Sequence, residues 1–241
     1  MHEDLSRRFH RSSKESSGAG AHIPKNPDEW PAEWLTIEYK TYPRLPHVAL
    51  RAGTPSADFF ELARSRSSGR TFSGEPLSIA DISTLLKYSC GIVSQGDGLH
   101  RAYPSAGTRY PLEVYPLVLR GSTELPAGLY HYGVQDHGLD VLWQRDFTDE
   151  EIGSFFTYKW ARRAAVVFLV TAVFERMQSK YGERGYRYVL IETGHLGQNM
   201  YLVSRAIGRN CCVIGTHDEM VEKLIDIDGT TESLVYALAL G

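Results

Sequence analysis

The sequence predicts an α+β domain with a mixed central sheet flanked by helices, and three observations carry that reading. Residues Ala164 to Phe174 form an unbroken run dominated by β-branched and aromatic side chains, which is what a strand covered on both faces requires. Residues Tyr186 to Ile207 repeat apolar or small side chains at three- and four-residue steps around most of a helical circumference, so this helix is expected to be buried on nearly all sides. Shorter strand and helix signals surround these two elements, and no internal repeat is evident.

In chain order, the first 21 residues are rich in Ser, Gly, Arg and Lys; with little to bury, they are expected to be mobile unless a partner holds them. Pro24 to Pro31 is a proline-punctuated connection, and Trp30 and Trp34 are candidates to dock it on the main body. Pro43 and Pro46 make Tyr39 to Leu50 an extended surface segment rather than a central strand. Residues 1–55 are therefore read as an arm and residues 56–241 as the folded domain.

Asp58 to Arg66 has the spacing of a short helix. Ser78 caps a second, Ile79 to Cys90, which turns Ile79, Ile82, Leu85, Leu86 and Ser89 inward and stops at Gly91. Ser94 to Arg101 is polar and glycine-broken. Pro104 to Gly107 makes a tight turn before a strand over Pro111 to Leu119. Leu129 to Tyr132 and Leu139 to Trp143 form a hairpin, and Asp149 to Phe156 is a helix. After the long helix, which stops at Gly208, come strands at Cys211 to Ile214 and Leu234 to Leu240, with a helix over Glu219 to Ile225 between them.

The chain has 241 residues, 42% hydrophobic and 23% charged, with a net charge of -3, an ordinary globular balance with no global attraction for nucleic acid or an anionic membrane. No apolar run has the length of a membrane span, and the first residues lack the apolar stretch of a secretory signal, so a cytoplasmic location is expected. The three cysteines, Cys90, Cys211 and Cys212, have apolar neighbours and no Cys-x-x-Cys spacing; they read as reduced core residues. The nine histidines show no metal-ligand spacing, and His195 reads as a core residue of the long helix. No metal is expected.

Arg64, Arg66 and Arg70, with Ser65, Ser67 and Ser68 between them, gather guanidinium and hydroxyl donors that suit a phosphate; a solvated basic helix end is the alternative. Neither a Gly-x-x-x-x-Gly-Lys loop nor a dinucleotide glycine fingerprint is present.

Several segments taken together resemble the nitroreductase-like flavoprotein superfamily, and within it the SagB-type or McbC-like dehydrogenases, azoline oxidases of thiazole and oxazole peptide maturation. Arg66-Ser67-Ser68-Gly69-Arg70-Thr71-Phe72 is similar to the flavin-phosphate motif. Pro104-Ser105-Ala106-Gly107-Thr108-Arg109-Tyr110-Pro111 is similar to the segment bordering the flavin. Glu175-Arg176, Lys180-Tyr181-Gly182, Glu192-x-Gly194-His195-x-x-Gln198-Asn199 and Gly215-x-x-Asp218 follow in order.

The resemblance spans residues 58–241. It implies a nitroreductase-like fold, an FMN cofactor and a homodimer with the long helix at its interface. Arg66, Ser67, Ser68 and Arg70 would contact the phosphate or ribityl side, and Pro104, Ser105, Ala106 and Gly107 would border the ring. Gln198 and Asn199 would lie near the cofactor, and Ile214 and Gly215 would bring backbone to the isoalloxazine. Lys180 and Tyr181 match the catalytic pair. The implied substrate is a peptide carrying thiazoline or oxazoline rings, with oxygen as electron acceptor and biosynthetic complex partners.

Aromatising an azoline removes two electrons and two protons, formally a hydride to the flavin and a ring proton to a base. Ionising a free tyrosine at neutral pH costs about 4 kcal/mol, which an ammonium about 4 Å away offsets at an effective dielectric near 20. Lys180 could thus activate Tyr181, or act as the base itself if desolvated. Adjacent residues do not share a helix face, so the pair is expected on a loop permitted by Gly182. The same scaffold also suits an NAD(P)H-dependent nitroreductase or enone reductase, or a non-catalytic scaffold subunit of a peptide synthetase complex.

Overall fold

The computed structural model describes residues 5–14, 23–94 and 100–241. Its seven-stranded sheet is built from β1 (His47–Ala49), β4 (Leu112–Val118), β5 (Gly128–Gly133), β6 (Gly138–Gln144), β7 (Val166–Val173), β8 (Cys211–Val213) and β9 (Glu232–Leu240). The spatial order is β1-β6-β5-β4-β7-β9-β8, and each neighbouring pair is antiparallel. A small ribbon of β2 (Ile92–Ser94) and β3 (His100–Arg101) stands apart. Residues 95–99, the centre of the glycine-broken stretch, lie outside the described residues.

The helices are α1 (Leu5–Ser12), α2 (Ala32–Leu35), α3 (Phe59–Ser65), α4 (Ile79–Cys90), α5 (Asp149–Phe155), α6 (Glu175–Tyr181), α7 (Arg184–Ala206) and α8 (Asp218–Ile225). Asp58 and Ser78 cap α3 and α4 by accepting from Glu61 N and Asp81 N, which is why both start where the sequence places them.

Alternation along β7 explains the two-sided core. Val166, Phe168, Val170 and Ala172 join Leu85, Leu86, Val189, Leu196 and Met200 on the α4/α7 side, while Val167 and Leu169 join Ile152, Val221 and Ile225 on the α5/α8 side. Successive strand residues point to opposite faces, so a strand buried twice must be apolar throughout. Cys90, Cys211 and Cys212 are free and buried.

Three expectations need correction. The long helix α7 is not buried on nearly all sides within one chain: Leu190 and Ile191 are 43% and 55% exposed, because only one stripe of the helix meets the sheet and α4. His195, read as a core residue, is exposed on that open face. The opening segment is helical over α1, since Phe9 packs edge-on against Tyr186 at 5.0 Å and Arg187 donates to Ser13 Oγ at 2.6 Å and to the His10 carbonyl. Gly197 and Gly194 on α7 are not equivalent. A Cβ at 197 would lie 2.5 Å from the Tyr236 ring, so β9 uses that space, whereas nothing approaches a Cβ at 194.

Candidate functional site

The turn between β3 and β4 is held in an unusual backbone conformation. Gly107, Thr108 and Tyr110 all have positive φ, 59°, 56° and 45°, and such residues persist only where surroundings over-determine them. The fastenings are visible. Ser105 Oγ accepts from Tyr110 N at 2.8 Å, and the buried Arg109 donates to the Arg176 carbonyl at 2.8 Å and the Thr36 carbonyl at 2.9 Å.

Lys180 and Tyr181 come to this turn from the last turn of α6. The expected loop is corrected: Gly182, at φ 52°, terminates the helix after the pair, its N–H donating to Gln178 O at 2.8 Å. The two side chains converge although adjacent helical residues diverge, because both are long and meet at Gly107. A Cβ there would lie 2.5 Å from Tyr181 Oη and 3.1 Å from Lys180 Nζ.

Lys180 is 2% exposed, and its amine has no hydrogen-bond partner among the described residues. It faces the Trp30 ring at 3.4 Å from the centroid, with the Trp34 and Tyr181 centroids each at 5.7 Å. Burial and then the Arg109 charge push the amine below the usual lysine range. Tyr181 moves the other way. Burial, then neighbouring Tyr188, raise its phenol, and Arg109 only partly offsets them. The amine faces the Trp30 ring, and the neighbours that act on the phenol are Tyr188 and Arg109 rather than Lys180.

Glu192 lies on the buried face of α7. It is 2% exposed, neither carboxyl oxygen has a hydrogen-bond partner among the described residues, and burial pushes it up to about 8 against the lowering effect of the nearby Ser105 hydroxyl and Arg101. With Pro104, Ser105, Ala106, Tyr188 and His195 it lines a cleft of about 250 Å³. An acid on an apolar helix face, with no Lys or Arg three or four residues away, is the signal that marks it. Trp30 carries no comparable local signal.

The remaining candidates occupy two other places. Asn199 donates to the Ala102 and Ser89 carbonyls at 2.9 and 3.3 Å, tying α7 to the end of α4 and the approach to the turn, while Gln198 is exposed on the helix's open side. Arg66 lies over the Tyr201 ring at 5.4 Å, and Ser68 Oγ is 3.2 Å from Tyr201 Oη, which accepts from Val213 N at 2.9 Å. Ser67 and Arg70 are exposed. Ile214 is buried, its N–H donating to Ala237 O, and the Gly215 carbonyl accepts from Thr157 N, both at 3.0 Å.

Two groups thus form along one helix. Ser105 to Gly107, Lys180, Tyr181 and Glu192 are together, and Arg66 and Ser68 meet at Tyr201, nine residues and about 13 Å beyond Glu192 along α7. A flat heterocycle joined to a phosphate fits this arrangement. The unpartnered Lys180 and Glu192 groups and the bare Gly107 sit at one end, and guanidinium and hydroxyl donors sit at the other. Among the described residues no group of His, Cys, Asp or Glu is set to hold a metal, and no helix is long and apolar enough to cross a membrane.

The α+β fold is that of a nitroreductase-type oxidoreductase. The chain belongs to the Nitroreductase family, which it matches over residues 63–241. It is 30% identical over 168 residues to a protein of Methanocaldococcus jannaschii named as a nitroreductase, covering 67% of this chain and 81% of that one. It is 32% identical over 162 residues to the microcin B17-processing protein McbC of Escherichia coli, covering 64% of this chain but 58% of McbC. In fold it is similar to the Escherichia coli microcin synthetase McbBCD complex with truncated pro-MccB17 bound, at TM-score 0.61 and 23% identity, over 98% of this chain and 91% of that one. It is also similar to a nitroreductase-type protein from Desulfovibrio desulfuricans in complex with FMN, at TM-score 0.52 and 19% identity, over 77% and 87% of the two chains.

Proposed function

We propose that this protein is an FMN-dependent dehydrogenase that converts thiazoline or oxazoline rings of a peptide natural product to thiazole or oxazole. The observation that carries this reading is the convergence of Lys180 Nζ and Tyr181 Oη on Gly107, at 3.1 and 2.5 Å from where a side chain would begin. A substrate ring needs a proton acceptor there. Bound FMN would supply the acceptor for the hydride.

Lys180 is the base. Its amine is desolvated and lacks an acceptor among the described residues, so the neutral form that can take a ring proton is more accessible than in an ordinary lysine. Tyr181 stays a neutral phenol, oriented by its edge contact with Tyr188 at 5.1 Å, and offers an O–H to orient the substrate. Arg66, Ser67, Ser68 and Arg70 would hold the flavin phosphate. Pro104 to Gly107 would border the ring, with Gln198, Asn199, Ile214 and Gly215 around it. Asn199 does so by fixing backbone, since its amide is spent on two carbonyls.

The open face of α7 with Leu190 and Ile191 is where a second copy docks, and residues 1–55 serve as an arm on the 56–241 domain. The likeness to McbC and to the McbBCD complex supports a peptide substrate and synthetase partners. Incubation with an azoline peptide, followed by mass spectrometry, tests the reading: each converted ring loses two hydrogens. An unchanged mass with oxygen present counts against it.

A further inference from the structure

Residues 24–36 precede the family match, yet they close over the Lys180 amine. Trp30 donates its indole N–H to the Pro24 carbonyl at 2.7 Å, and Trp34 donates to the Ser179 carbonyl at 3.2 Å. The two indoles meet edge-on at 6.4 Å. Asn26 starts the short turn Pro27–Glu29 that leads into Trp30 by accepting from Asp28 N at 3.1 Å, and Arg109 holds the far end through the Thr36 carbonyl at 2.9 Å. The segment is therefore fastened to α6 and to the Gly107 turn, the two elements that build the site.

The consequence falls on one atom. Lys180 Nζ lies 3.4 Å from the centroid of the Trp30 ring and 3.1 Å from where a Cβ on Gly107 would be. A buried ammonium with no acceptor is costly, and an aromatic face compensates it only in part while excluding water. Covering one side of the amine also leaves the Gly107 and Tyr181 side as the direction from which a substrate can reach it.

We propose that Trp30 is a positioning residue for Lys180: residues 26–36 of the arm form a cap that keeps water off the amine and directs it toward Gly107. The proposal rests on the reading of Lys180 as the base. It gives the arm a role in the site rather than in assembly alone.

Reductive methylation of the full-length protein as purified, with each lysine quantified by peptide mass spectrometry, tests the cap without any substrate. In the wild type, Lys180 should label at least about tenfold more slowly than the exposed Lys25 and Lys159, as burial behind a closed cap requires. Trp30→Ala should bring Lys180 close to their rate, and Trp30→Phe, which keeps an aromatic face, should restore protection. Lys40, paired with Glu232 at 2.5 Å, reports the fold in the same samples. If Trp30→Ala uncovers Lys40 as well, the wild-type and Trp30→Phe rates decide. Wild-type labelling of Lys180 as fast as Lys25, unchanged labelling in a folded Trp30→Ala, or failure of Trp30→Phe to protect would each overturn the cap. Undiminished azoline oxidation by Lys180→Ala would instead remove the base assignment and leave the labelling result standing.

Discussion

Gly107 and Tyr181 leave no room for a side chain between them: a Cβ on Gly107 would lie 2.5 Å from the tyrosine hydroxyl. Gly107→Ala must displace Tyr181 and also places alanine at φ 59°, a left-handed conformation that costs a non-glycine residue about 1–2 kcal/mol. The variant is expected to remain folded, with a melting temperature lowered by a few degrees, about 2–4 °C per kcal/mol for a chain of this size. Its azoline turnover should fall much further than that stability loss. Calorimetry and turnover on the same preparation check this, and full turnover would show that the close contact is not part of the site.

The phosphate end is tested apart from the chemistry. Arg66→Ala with Arg70→Ala should yield protein that folds but loses most of its FMN, because a charge-assisted contact contributes about 1.5–3 kcal/mol. Absorbance of the released flavin measures occupancy, and full retention would remove the phosphate assignment.

Glu192 makes stability depend on pH in a fixed direction. Its folded value near 8 lies above its ordinary 4.5, so the buried neutral carboxyl is tolerated at low pH. The stability it permits is lost as pH rises from about 5 through 8, where the unfolded chain ionises more readily. Glu192→Gln should be close to neutral at pH 5 and stabilising by a few kcal/mol at pH 9. Urea unfolding at the two pH values checks this; equal differences at both would mean that the carboxyl is not held neutral.

The open face of α7 supports a homodimer. Ile191→Asp places a charge where a partner copy would bury it, at a cost of several kcal/mol, and should convert a dimer to a monomer in sedimentation at micromolar concentration. A wild-type monomer with FMN bound would contradict the dimer itself.

Much of this fold was legible from local chemistry. The β7 strand follows from an apolar run that only a doubly covered strand accommodates, and α4 begins at Ser78 because a serine side chain can satisfy the Asp81 N–H. The site was legible as segments but not as geometry. Gly182 was read as loop-forming when it stops α6 just beyond Lys180 and Tyr181, since a glycine signals a break without saying on which side the helix lies. The electrostatic order of the pair depends on Trp30 and Arg109, which reach Lys180 only through the tertiary fold. Glu192 was visible as a partnerless acid on an apolar stripe, but whether such an acid meets a distant arginine cannot be read from its neighbours.

In the proposed reaction the Lys180 amine takes the ring proton as an azoline is oxidised. Stopped-flow absorbance of the bound flavin, after mixing with azoline peptide or with NAD(P)H, tests it most directly. Azoline peptide alone should bleach the wild-type flavin. Lys180→Ala should bind the same flavin yet bleach about 10²- to 10⁴-fold more slowly, the usual size of a general-base contribution, with Tyr181→Phe slowed as well. Rapid bleaching by NAD(P)H with none by azoline, or full-speed bleaching of Lys180→Ala by azoline, would contradict the account.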